Sequence, residues 1–170
     1  MEEPELAETG KNLLMQSHAQ VGLAFLATLR KDGAPRLHPV SQVFYKDHLY
    51  VLIPPTSPKC ADLKRDGRYG LQAYPSPNNI ENEEFYLAGR AVWIQDIFIR
   101  HALITGTMVQ VDESEVLFEL LLDRAMYTKL INQNTPYEHP VHKIWRESGL
   151  PQRSSDIPSG ENDIRRKNDE

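Results

Sequence analysis

The segment from Phe25 to Tyr74 constrains this chain most, because turn residues cut its apolar runs into short lengths. A run opening at Gly22 stops at Lys31-Asp32-Gly33. A second, Arg36 to Tyr45, stops at Lys46-Asp47-His48. A third, His48 to Ile53, breaks at Pro54-Pro55-Thr56-Ser57-Pro58. Runs rich in Val, Leu, Phe and Tyr between Asp-Gly punctuation read as consecutive β-hairpins. Strands of such a meander expose unpaired edges unless the sheet closes on itself, so the pattern favours a barrel.

The flanking sequence extends this reading. Leu6, Leu13, Leu14 and Val21 lie roughly at helical spacing, which predicts a helix over Glu3–Gln20 ended by Gly22. Ser57 is a candidate N-cap and Pro58 the first helical residue of a short helix running to about Asp66, with Asp66-Gly67 as its stop. Arg68–Tyr74 is a fourth strand, and Pro75-Ser76-Pro77-Asn78-Asn79 a loop. Phe85–Ile94 is a fifth strand, with Gly89 marking a bulge or a close approach. Gln95–Gly106 reads as a helix. Glu115–Leu122 fits helix or strand by pattern alone, and its flanks favour a strand; Val141–Trp145 is a short last strand. Five to seven antiparallel strands with two or three helices predict a mainly β fold, a small β-barrel with flanking helices. Residues 1–150 form one domain, and 151–170 are expected to be a disordered polar tail, since they hold almost no apolar residues.

Composition narrows the function classes. A length of 170 residues suits one domain with a real core. A formal net charge of −5 argues against a general nucleic-acid binder, which shows a basic face. The single cysteine, Cys60, excludes an internal disulfide framework and suits a reducing cytoplasm. No apolar run approaches the roughly 20 residues of a membrane span. The acidic start MEEPELAETG lacks the apolar region of a signal peptide. The expectation is a cytoplasmic protein that contacts neither nucleic acid nor membrane.

Chemistry-bearing residues are sparse. Arg36, His38 and Val40 share one face of the second strand, with Ser41 on the other, so Arg36 and His38 make either a small basic rung or a solvent-facing edge. Lys59 lies just inside a helix start, where a lysine beside free backbone N–H groups suits a phosphate; the alternative is a solvated lysine. His139 and His142 fall on opposite faces of a strand, which disfavours a shared metal. Trp93 and Trp145 suit a core or an interface, and Trp145-Arg146 also suits the cover of an aromatic ligand.

Taken in order, several short motifs resemble the pyridoxamine 5′-phosphate oxidase-like flavoproteins. They are Ala27-Thr28-Leu29-Arg30-Lys31-Asp32-Gly33-Ala34-Pro35, Pro39-Val40, Leu49-Tyr50-Val51-Leu52, Ser57-Pro58-Lys59, Asp62-Leu63-Lys64-Arg65-Asp66-Gly67-Arg68 and Ala88-Gly89-Arg90-Ala91. The resemblance implies an FMN-binding split barrel that forms a homodimer, with FMN in grooves between the subunits. It implies that His38, Pro39, Val40 and Ser41 lie along the flavin, followed by Leu52 and Ile53. Ser57 and Lys59 would hold the phosphate, and Glu84 would meet the ring. Arg36 and Trp145 complete the candidate set.

Four departures qualify this. Pro58 stands where an arginine is frequent, and His38 where true pyridoxamine-phosphate oxidases carry arginine. Val43 lies near their substrate-phosphate lysine, and Glu84 replaces a common glutamine. The implied function is a flavin-dependent oxidoreductase acting on a small organic molecule other than vitamin B6 phosphate. Non-catalytic binding of flavin, deazaflavin or haem is one alternative, and a cofactor-free dimeric interaction module is another.

Overall fold

In this computed structural model, residues 4–15, 22–73, 82–107 and 109–148 are described. The elements are α1 (Pro4–Met15), β1 (Gly22–Leu29), β2 (Pro35–Tyr45), β3 (His48–Ile53), α2 (Pro58–Arg65), β4 (Arg68–Ala73), β5 (Glu83–Ile94), α3 (Ile97–Thr107), β6 (Val116–Ile131) and β7 (His139–Arg146). The strands pair antiparallel in the order β3-β2-β1-β4-β5-β6-β7, and a β3–β6 pairing closes the first six into a barrel.

Turn chemistry sets the register of the meander. Between β1 and β2 the Gly33 N–H donates to Arg30 O and the Arg30 N–H to Ala34 O, both at 2.9 Å, while Gly33 takes φ +84°. Such a loop needs the left-handed conformation that glycine adopts without steric cost. The β2–β3 turn puts Lys46 and Asp47 at φ 49° and 64°, the geometry of a tight hairpin whose twist matches its strands.

Period-two alternation then decides which side chains turn inward. Val51 and Ile53 join Ala24, Leu26, Leu71, Leu87, Phe118 and Leu120 in the interior cluster. Tyr50, on the opposite face of β3, packs with Val43, Leu117 and Leu103 of α3 in a second cluster. Helix α1 adds Leu6, Leu13 and Leu14 to the first. It docks closely: a Cβ on Gly10 would lie 2.1 Å from the Phe85 ring. The buried Gln42 side chain donates to Leu14 O at 2.6 Å, tying the end of α1 to β2.

Strand boundaries through β5 fall within two residues of expectation, β2 opening at Pro35 and β5 at Glu83, and the bulge expected at Gly89 appears as a register shift between Ala88 and Gly89. Two elements differ. The strand expected over Glu115–Leu122 runs on to Ile131, because Asp123 is accommodated by that bulge and the pairing resumes at Arg124. β7 extends to His139 because β6 offers it a partner to Ile131; Pro140, on this outermost strand, costs no ladder bond to a further neighbour. The expected loop at 75–79 and tail at 151–170 lie outside the described residues, as do Tyr74 and the last residues of the expected first helix. No described helix is long and apolar enough to cross a membrane.

Candidate functional site

A groove of about 270 Å³ lies on the outer side of β2 and β3. β2 contributes Pro39, Val40, Ser41 and Val43, β3 contributes Leu52, and α2 contributes Lys59. Ser57 precedes Pro58 at the N-terminus of α2 in extended conformation, and its side chain makes no capping bond. The first N–H groups of a helix lack intrahelical partners, and Pro58 removes one of them. The Lys59 ammonium, whose one hydrogen-bond partner among the described residues is Pro39 O at 3.4 Å, is therefore the main positive charge of the groove. Burial holds its pKa below the ordinary lysine value, because the Pro39 carbonyl by itself does not compensate the lost hydration. A bound anion would restore that compensation.

The opposite wall is one that sequence reasoning missed. Val109, Gln110 and Val111, after α3, and Glu115, before β6, complete the groove. No local pattern marks them; the return of α3 across Val43 and Tyr50 carries this segment there. The segment is braced by Arg100, whose guanidinium donates to Glu115 O at 2.6 Å and Asp112 O at 3.0 Å.

Other candidates lie elsewhere in the single chain. Arg36 is not part of a free basic rung with His38. Its Nε donates to Asp62 Oδ2 at 2.6 Å, so its charge is spent on α2. His38 is exposed, and Val40, on the same backbone face, is buried where β2 enters the barrel. The Ile53 side chain is fully buried in the core, and the residue does not line the groove. Glu84, opposite Thr128, and Trp145, opposite Ala125, belong to the β5–β6–β7 side of the sheet and do not line the groove of their own subunit. His142 and His139 bond Thr128 and the Tyr137 carbonyl, and no metal-binding cluster of three His, Cys, Asp or Glu occurs among the described residues.

α2 is locked to the barrel through Asp62, which is 4% exposed. Thr28 Oγ1 donates to its Oδ2 at 3.0 Å, beside Arg36, and Arg65 Nη1 donates to Oδ1 at 3.3 Å. A second Arg65 nitrogen donates to Leu29 O. Burial alone would raise the Asp62 pKa, but the bonds from Arg36, Thr28 and Arg65 outweigh it and hold the carboxyl below its usual value. Lys59, one turn earlier on α2, is thus carried by a helix fixed at its centre.

No protein-family model matches the sequence, and no curated protein sequence matches it. Solved structures do match. A Clostridium acetobutylicum protein related to general stress protein 26, of the pyridoxinephosphate oxidase family, superposes with a TM-score of 0.60 at 12% identity, over 86% of this chain and 96% of that one. General stress protein 26 of Bacillus anthracis gives 0.55 at 17% identity, over 72% and 93%. A heme-binding protein from Mycobacterium smegmatis gives 0.57 at 15%, covering 84% of this chain and 59% of the longer neighbour. At such identities the likeness establishes architecture alone. With six closed antiparallel strands, three flanking helices and these neighbours, the chain has the split-barrel fold of the pyridoxamine 5′-phosphate oxidase-like proteins.

Proposed function

We propose that this chain binds FMN in the Lys59 groove, at the interface of a two-fold homodimer, and uses it as an oxidoreductase on a small organic substrate. The observation that carries the reading is convergence. Pro39, Val40, Ser41, Leu52 and Lys59, which the resemblance implied for the cofactor from three separate stretches of sequence, line one groove. Its chemistry fits FMN: apolar Val and Leu surface for a ring, and one desolvated ammonium near a helix start for a phosphate. Its volume falls short of the roughly 300–1,000 Å³ of a complete small-molecule site, as expected if a partner subunit supplies the second wall. Exposed Trp93, Ile97 and Phe98, the last 78% exposed, are apolar surface that such a partner would cover. In the dimer, Glu84 and Trp145 of one subunit would complete the groove of the other.

Bound flavin would supply the hydride chemistry, and the protein would orient the ring and exclude water. Haem is the second reading, motivated by the heme-binding neighbour. The absorption spectrum of the purified protein, with and without added FMN or haem, separates the two. Fluorescence titration of wild type and Lys59→Ala with FMN and riboflavin then tests the site. A charge-assisted phosphate contact is worth roughly 1.5–3 kcal/mol, so Lys59→Ala should weaken FMN by about ten- to a hundredfold and riboflavin far less. Equal FMN affinity in both proteins would refute the site. Failure of wild type to bind either flavin would refute the function.

A further inference from the structure

A second cavity, of about 440 Å³, shares no lining residue with the Lys59 groove. It opens between one stripe of α1, formed by Ala7, Lys11 and Leu14, and the β2–β3 hairpin. Its floor is the barrel core: Leu49, Phe85, Leu87 and Leu120 are all buried. Its size falls within the roughly 300–1,000 Å³ typical of small-molecule sites. The rim carries charge, from Lys11, Asp47, His48 and Glu119.

Those charges are unevenly committed. Glu119 shares its Oε1 with His48 Nδ1 at 2.6 Å, which leaves Oε2 available. Asp47 has no hydrogen bond or ion pair of its own among the described residues, and the hairpin turn holds it at the mouth at φ 64°. Besides His48, already engaged by Glu119, the rim sets one lysine against two carboxylates. The Lys11 ammonium lies over the Phe44 ring, 5.7 Å from its centroid, so the rim's lysine is already held by an aromatic face.

We propose that this cavity binds a small primary amine with an aromatic or branched aliphatic body. The body fills the Leu-Phe floor, and the ammonium meets Asp47 and the free oxygen of Glu119. A carboxylate ligand would add to the negative rim. The site is independent of the flavin groove.

The test uses 2-phenylethylamine and its acidic counterpart 3-phenylpropionate, titrated into the full chain by calorimetry, with backbone amide NMR shifts followed on the wild type. The amine should bind with a dissociation constant of about 1 mM or tighter, shifting amides of Ala7, Leu49 and Phe85, and the acid at least about tenfold more weakly. Asp47→Asn removes the charge and keeps a side chain tolerated at positive φ, so the fold is preserved. It should cost the amine about tenfold, the loss of one charge-assisted contact. Ala7→Trp should abolish binding by filling the cleft. The proposal is overturned if wild type does not bind the amine, if the acid binds as well, if the shifts map elsewhere, or if Asp47→Asn binds unchanged.

Discussion

Asp62→Ala is the most informative single change in this structure. The residue is 4% exposed and accepts from Thr28, Arg36 and Arg65. Truncation removes all three acceptor contacts and strands the Arg36 guanidinium, whose side chain is only 23% exposed. Breaking a buried ion pair from one side costs about 3–5 kcal/mol. Arg65 keeps its bond to Leu29 O and Arg36 keeps some water, so the lower end applies, about 3 kcal/mol. In a domain of this size that lowers the melting temperature by roughly 6–12 °C. Asp62→Asn retains one acceptor oxygen and should cost about half as much.

Urea denaturation of Asp62→Ala, Arg36→Met and the double variant closes a cycle. The double variant should lose clearly less than the sum of the singles, because it no longer strands the Arg36 guanidinium. pH adds a second signature. The folded pKa of Asp62 is lowered, so its contribution is fully present above the unfolded carboxyl value, near ~3.9. It is lost as pH falls through the lower folded value. The stability gap between wild type and Asp62→Asn should therefore be constant from about pH 5 to 7 and narrow below about pH 4. A loss under about 1 kcal/mol for Asp62→Ala, or strict additivity in the cycle, would refute the view that this carboxylate locks α2 to the barrel.

Other expectations are quickly checked. Light scattering at micromolar concentration should give about twice 19.5 kDa, and Phe98→Asp should shift the mass toward one chain; a monomeric wild type would remove the second wall proposed for the Lys59 groove. Gly89→Ala should lower stability by about 2–3 kcal/mol in urea melts, since the added Cβ would meet Leu121 O at 1.9 Å and backbone cannot easily give way; a neutral result would mean the bulge is plastic. A chain ending at Leu150 should melt within about 2 °C of full length, because the polar tail offers little apolar surface to bury; a larger drop would show that it docks.

The sequence by itself determined the local grammar of this protein. Asp32-Gly33 and Lys46-Asp47 fixed two hairpins, Ser57-Pro58 the start of α2, and Gly89 the bulge, because turns, caps and close approaches are properties of a few consecutive residues. The groove residues on β2 and β3 were legible only through the family resemblance of their motifs, whereas Lys59 was also marked by its place at a helix start. Contacts between distant segments decided the rest. Residues 123–131, polar enough to read as a strand's end, remain strand because β5 and β7 pair with them on either side. Arg36 looks like a free cation until α2 folds back and brings Asp62, 26 positions away, to 2.6 Å. The Val109–Val111 wall and the cavity beneath α1 carry no local signal at all. Each is the space left where two elements far apart in the chain meet, and only closure of the barrel settles which elements those are.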